Sequence, residues 1–106
     1  MSYCVIISTA PHIDTAKQIA QELVRSKLAA CVNLIPQVIS VYCWNNQIQE
    51  DSEVLLKIKT KKVLFEKVKE SIISLHPYEL PEIISIPIEN GLDGYLNWIN
   101  EETCTL

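Results

Sequence analysis

Residues 31–60 read CVNLIPQVISVYCWNNQIQEDSEVLLKIKT, and this stretch decides the fold. Its first half, Cys31 to Trp44, is rich in Val, Ile and Tyr and is interrupted by one proline. Such residues favour an extended backbone, and Pro36, with no N–H to give a ladder, marks an edge, bulge or bend. Asn45-Asn46 predicts a hairpin turn, since Asn tolerates the positive φ that such turns require. The return run, Gln47 to Thr60, alternates: Val54, Leu56 and Ile58 fall on one face, Glu53, Leu55, Lys57 and Lys59 on the other. The first face is expected on the core. The second reads as a polar surface on which Glu53 and the two lysines form cross-strand ion pairs.

The flanking segments supply the rest of an α+β domain. Tyr3 to Thr9 is a short apolar run that predicts a buried strand. After Pro11, a helix over about residues 12–28 follows from the spacing of Ala16, Ile19, Ala20, Leu23, Val24 and Leu28. A second helix, about 61–75, has its stripe at Leu64, Phe65, Val68, Ile72 and Leu75; Thr60 is its expected N-cap, and Lys62 can pair with Glu66. His76 to Glu82 is a loop stiffened by Pro77 and Pro81, and Ile83 to Ile88 is a fourth strand. A short C-terminal helix is expected to turn Leu92, Tyr95, Leu96 and Ile99 inward. The order β-α-β-β-α-β is the ferredoxin-like arrangement, one antiparallel sheet with two helices on one face, in a single domain over 1–106.

The hairpin is too long for that frame. Arms of about fourteen residues extend ~45 Å, whereas helices of about fifteen residues cover only ~22 Å. The overhang carries Tyr42, Cys43 and Trp44. Exposed apolar surface on a long edge predicts neighbouring copies that pair with it; a hairpin bent back over its own sheet is the alternative.

Length and charge narrow the function. The chain has 106 residues, nine Lys and Arg against thirteen Asp and Glu, and a net charge of −4. That balance disfavours nucleic acid as a partner, since such binders carry a basic surplus. No apolar run reaches the ~18–20 residues of a membrane span, and the first residues lack a basic leader, so a cytoplasmic protein is expected. The cysteines, Cys4, Cys31, Cys43 and Cys104, form no C-x-x-C, which removes zinc-ribbon and thioredoxin-like readings. Phosphate-binding glycine motifs, G-x-S-x-G and H-E-x-x-H are absent, so no catalytic residue is assigned and an enzyme is not expected. His76, at a helix end beside Pro77, is either a structural cap or a metal ligand. Glu79 and Glu82 flank Pro81, whose rigidity suits a ligand or base.

Several strings taken together resemble the CutA family of divalent-cation-tolerance proteins. They are Leu28-Ala29-Ala30-Cys31-Val32-Asn33-Leu34-Ile35-Pro36, Ser40-Val41-Tyr42-Cys43-Trp44, Lys57-Ile58-Lys59-Thr60, His76-Pro77-Tyr78-Glu79-Leu80-Pro81-Glu82-Ile83 and Tyr95-Leu96-Asn97-Trp98-Ile99. The resemblance runs from Val5 to about Asn100. It implies a homotrimer with hairpins reaching across subunit boundaries, an architecture like that of PII-type signalling proteins, and a link to copper and other divalent cations as partners. No cofactor is required by it. It places His76 in an H-P-Y motif associated with metal binding, and an intersubunit ligand cleft at Cys31, Tyr42, Trp44, Lys59, Tyr78, Glu82 and Trp98. Leu75 and Ser8 stand where some members have His and Cys, departures that weaken a high-affinity copper site. The resemblance also leaves open a PII-like sensor or adaptor that takes a small anionic ligand in the clefts.

Overall fold

The computed structural model describes residues 1–105. Strands β1 (Tyr3–Ala10), β2 (Cys31–Trp44), β3 (Gln47–Lys61) and β4 (Ile83–Ile88) alternate with helices α1 (Ile13–Arg25), α2 (Phe65–Leu75) and α3 (Asp93–Glu102). All strand pairs are antiparallel, and the sheet order β2-β3-β1-β4 is that of the expected α+β arrangement. Directly opposed residues share a face, so Cys4, Ile6, Ser8 and Ala10 of β1 lie beside Thr60, Ile58, Leu56 and Val54 of β3. That face is the core. Ala16, Ile19 and Leu23 of α1 and Val68 and Ile72 of α2 close over it.

The turns explain the hairpin. Asn45 and Asn46 both have positive φ, 51° and 61°, as a tight two-residue hairpin turn needs. At Pro36-Gln37 the β2–β3 register slips, and Gln37 takes φ 62°; the proline sits in a bulge, which needs no N–H from it. From Val54 onward β3 has β1 as its second neighbour, but from Gln47 to Glu53 it pairs with β2 alone. The free end makes the molecule 44 Å long against 26 and 21 Å across. Ile39, Val41, Trp44 and Ile48 on it are exposed.

Several local expectations are corrected. The second helix does not begin at about residue 61, and Thr60 does not cap it. β3 runs through Lys61, a 3₁₀ turn spans Lys62–Leu64, and the α-helix starts at Phe65. Thr60 is buried, and its hydroxyl donates to the Leu28 carbonyl at 2.6 Å. Glu66 pairs with Lys69 rather than Lys62. Among the described residues Glu53 makes no ion pair with Lys57 or Lys59, and the Lys59 ammonium donates to Asn33 instead. In α3 only Ile99 is buried, while Leu92 and Tyr95 are exposed. Lys61 belongs to the strand face that points away from α1 and α2, and α3 buries it. Its ammonium lies 3.3 Å from Asn100 Oδ1 and 3.4 Å from the Thr103 carbonyl, which suits a cation at a helix C-terminus.

Thr60→Val keeps the shape of the side chain and removes its donor, leaving the Leu28 carbonyl without it. The expected loss is ~1–2 kcal/mol in urea unfolding with an unchanged m-value.

Candidate functional site

α2 ends where it does because His76 precedes Pro77. A residue before proline is pushed out of the helical region, and His76 sits at φ −82°, ψ 135°. Its N–H still closes the helix on the Ile72 carbonyl at 2.8 Å. The extended turn aims the imidazole back under the sheet end, where it is buried. Nε2 donates to the Thr9 carbonyl at 2.7 Å, and Nδ1 accepts the Tyr78 N–H at 3.1 Å. Both ring nitrogens are thus engaged by backbone, which fixes the Nε2–H tautomer. The Tyr78 ring packs on the imidazole with centroids 4.8 Å apart. His76 holds the proline loop against β1.

This anchored loop and the free end of the hairpin enclose an open groove of about 720 Å³. Tyr42 and Trp44 line it from β2, Glu53 from β3, and Tyr78, Glu79 and Glu82 from the loop. Glu53 is 8% exposed and accepts the Tyr78 hydroxyl at 3.3 Å. The Tyr42 hydroxyl donates to Asp51 on the neighbouring strand. Tyr42 is pushed up to about 12, first by that hydrogen bond, then by burial and by the negative charge of Asp51 and, at longer range, Glu53. Burial raises the Tyr78 phenol, with the charge and hydrogen bond of Glu53 adding to it. The groove lining contains three glutamates and neither lysine nor arginine.

The cleft residues expected from sequence separate into two groups within one chain. Tyr42, Trp44, Tyr78 and Glu82 line the groove. Cys31, Lys59 and Trp98 lie at the other end of the hairpin. Cys31 and Lys59 are directly opposed there, and Trp98 stacks on Tyr95 with centroids 5.5 Å apart. Burial raises the Tyr95 phenol, helped by the neighbouring Cys31 thiol. Sequence reasoning read Glu53 as part of an ion-paired surface and Tyr95 as core, and it gave Asp51 no role. The strand alternation did place Glu53 opposite the core face, and that was the usable clue. All four cysteines are free thiols. Among the described residues no three His, Cys, Asp or Glu side chains are placed to hold one metal ion, and no helix is long and apolar enough to cross a membrane.

The model of the CutA1 divalent ion tolerance protein family matches residues 4–102. The chain belongs to this family. It is 44% identical to the divalent-cation tolerance protein CutA of Thermus thermophilus, over 93% of this chain and 96% of that one. It is 48% identical to mouse protein CutA over 90% of this chain, but spans only about half (54%) of the mouse protein's length. The crystal structure of CutA1 from Oryza sativa superposes with a TM-score of 0.96 at 38% identity, covering 98% of this chain and 95% of the rice chain. Members are named for different compartments, one as chloroplastic in Arabidopsis thaliana and one as periplasmic in Archaeoglobus fulgidus, so membership does not fix a location.

In an alkaline titration followed by tyrosinate absorbance, one phenol should ionise near 12, well above the ordinary value of ~10. Asp51→Asn removes the carboxylate acceptor and should return that phenol toward ~10. An unchanged titration curve in the variant would show that Asp51 does not hold Tyr42.

Proposed function

We propose that the protein serves tolerance of divalent cations as a homotrimer that draws copper or another divalent cation into the groove between hairpin and proline loop. One observation carries this reading: Glu53, Glu79 and Glu82 line a groove with no basic side chain. An uncompensated set of carboxylates lowers the energy of a nearby cation and raises that of an anion. For the same reason the reading as a PII-like sensor of an anionic ligand is not favoured, nor is nucleic acid as a partner.

The chemistry here is not that of a closed metal centre. A tight site for copper needs several converging nitrogen, sulfur or oxygen ligands. His76 has both nitrogens committed, and the Cys43 thiol sits on the exposed hairpin end. Glu79 and Glu82 are the accessible groups, so a divalent cation held by them keeps most of its water and binds weakly. His76 acts by setting the loop from which they project. The metal is cargo, and no resident cofactor or reaction is invoked. Association of copies is supported by the apolar hairpin end together with Ile84 and Ile86 on the open sheet face, surface that a monomer would leave in water; the number three comes from the family resemblance.

Calorimetric titration of Cu(II) and Mn(II) tests the reading. Weak saturable binding of about one ion per chain, diminished at high ionic strength, is expected. The double variant Glu79→Gln/Glu82→Gln should weaken it about tenfold, and His76→Ala, checked for folding by circular dichroism, should retain it. Loss of binding in folded His76→Ala with no effect of the carboxylate changes would make the imidazole a direct ligand. Absence of any saturable binding would remove metal from the groove.

A further inference from the structure

The link between β4 and α3 joins Asn90 to Gly91, and of the six asparagines in the chain this is the only one followed by glycine. The others precede Leu34, Asn46, Gln47, Trp98 and Glu101. Asparagine is among the thermolabile residues, because its side-chain amide can react with its own main chain. The nitrogen of the next residue reaches the side-chain carbonyl carbon and closes a succinimide ring. A side chain on that next residue crowds the approach, and glycine has none.

The fold leaves both reacting groups free. β4 ends at Ile88 and α3 begins at Asp93, so residues 89–92 belong to no strand or helix. Asn90 and Gly91 are exposed. Among the described residues the Gly91 N–H has no backbone acceptor, and the Asn90 amide takes part in no hydrogen bond. Other asparagines are held. Asn33 accepts from the Lys59 ammonium, and Asn100 Oδ1 lies 3.3 Å from that of Lys61. Asn97 and Asn100 stand within α3, whose ladder takes up the N–H that follows each of them.

Packing gives Gly91 its reason to be glycine. A Cβ built there would meet Leu96 Cδ2 at 3.0 Å, so a side chain would press on α3. The contact that calls for glycine therefore keeps a reactive pair at the surface. Ile88 lies opposite Tyr3, which lies opposite Lys61 on its other side. The link is thus at the end of the sheet away from the groove and the free end of the hairpin.

We propose that Asn90 is a self-modifying site that deamidates in the folded protein. The Gly91 nitrogen bonds to Asn90 Cγ, and its proton passes to the departing amide. The Cγ–Nδ2 bond breaks and ammonia leaves. Water then opens the succinimide at one of its two carbonyls. Opening at the side-chain carbonyl gives aspartate. Opening at the main-chain carbonyl gives isoaspartate, in which the main chain runs through the side-chain methylene. Either product adds a carboxylate to the link, and the isoaspartyl form is a substrate for methyltransferases that esterify its free carboxyl group.

The test holds the full chain, folded, at mildly alkaline pH and follows it by peptide mapping with mass spectrometry. Methyl incorporation by an isoaspartyl methyltransferase is the second readout. Asn90 should convert at least about tenfold faster than any other asparagine, with isoaspartate in excess of aspartate. Asn90→Gln, whose longer side chain disfavours the ring, should abolish methyl incorporation. Conversion of Asn90 only after unfolding in guanidinium would overturn the proposal, showing that the fold or its assembly shields the link. Equal rates at Asn90 and Asn45, or methylation that persists in Asn90→Gln, would overturn it as well.

Discussion

Everything particular about this molecule depends on seven residues of β3, Gln47 to Glu53, that have a sheet neighbour on one side only. A two-stranded ribbon in water is marginal, because it gains half the ladder and buries little. Here it persists because its base is continuous with the four-stranded sheet, and the Asn45-Asn46 turn fixes its register. The same ribbon forms one wall of the groove and leaves β2 as a long free edge. A shorter hairpin would remove the groove wall and the exposed apolar surface together.

The opposite wall is held by a different economy of contacts. Pro77 forces His76 out of the helix, the imidazole spans from the Thr9 carbonyl to the Tyr78 N–H, and the loop that carries the glutamates is thereby tied to β1. A side chain chosen from sequence as a metal ligand thus serves as a bracket between a strand and a loop. The bracket matters for charge. It sets the Tyr78 hydroxyl against Glu53 and keeps a buried carboxylate hydrogen-bonded while leaving its charge unneutralised.

Much of the fold was legible from the 31–60 stretch because a period of two admits one register against a one-sided core. Val54, Leu56 and Ile58 fall where that alternation puts them, and Pro36 sits at the bulge it marks. The errors have physical reasons. Thr60 has the chemistry of an N-cap, but the strand continues past it and its hydroxyl donates to the Leu28 carbonyl in the connection between α1 and β2. Lys61, placed by sequence at the start of the second helix, is a buried strand residue, since the C-terminal end of α3 lays oxygens of Asn100 and Thr103 over it from about forty residues away along the chain. The site was half legible. Tyr42, Trp44, Tyr78 and Glu82 share one groove, whereas Cys31, Lys59 and Trp98 lie at the far end of the same hairpin. No spacing rule reports how far a straight hairpin separates its two ends.

The apolar hairpin end is the surface that an assembly would cover, so the account turns on assembly. Sedimentation equilibrium across a dilution series in the micromolar range is the direct measurement. A single species of three times the 12.0 kDa chain mass, persisting on dilution, is the predicted result. A monomer of 12.0 kDa with an unchanged circular dichroism spectrum would contradict it, showing that the exposed hairpin end is stable in water without a partner.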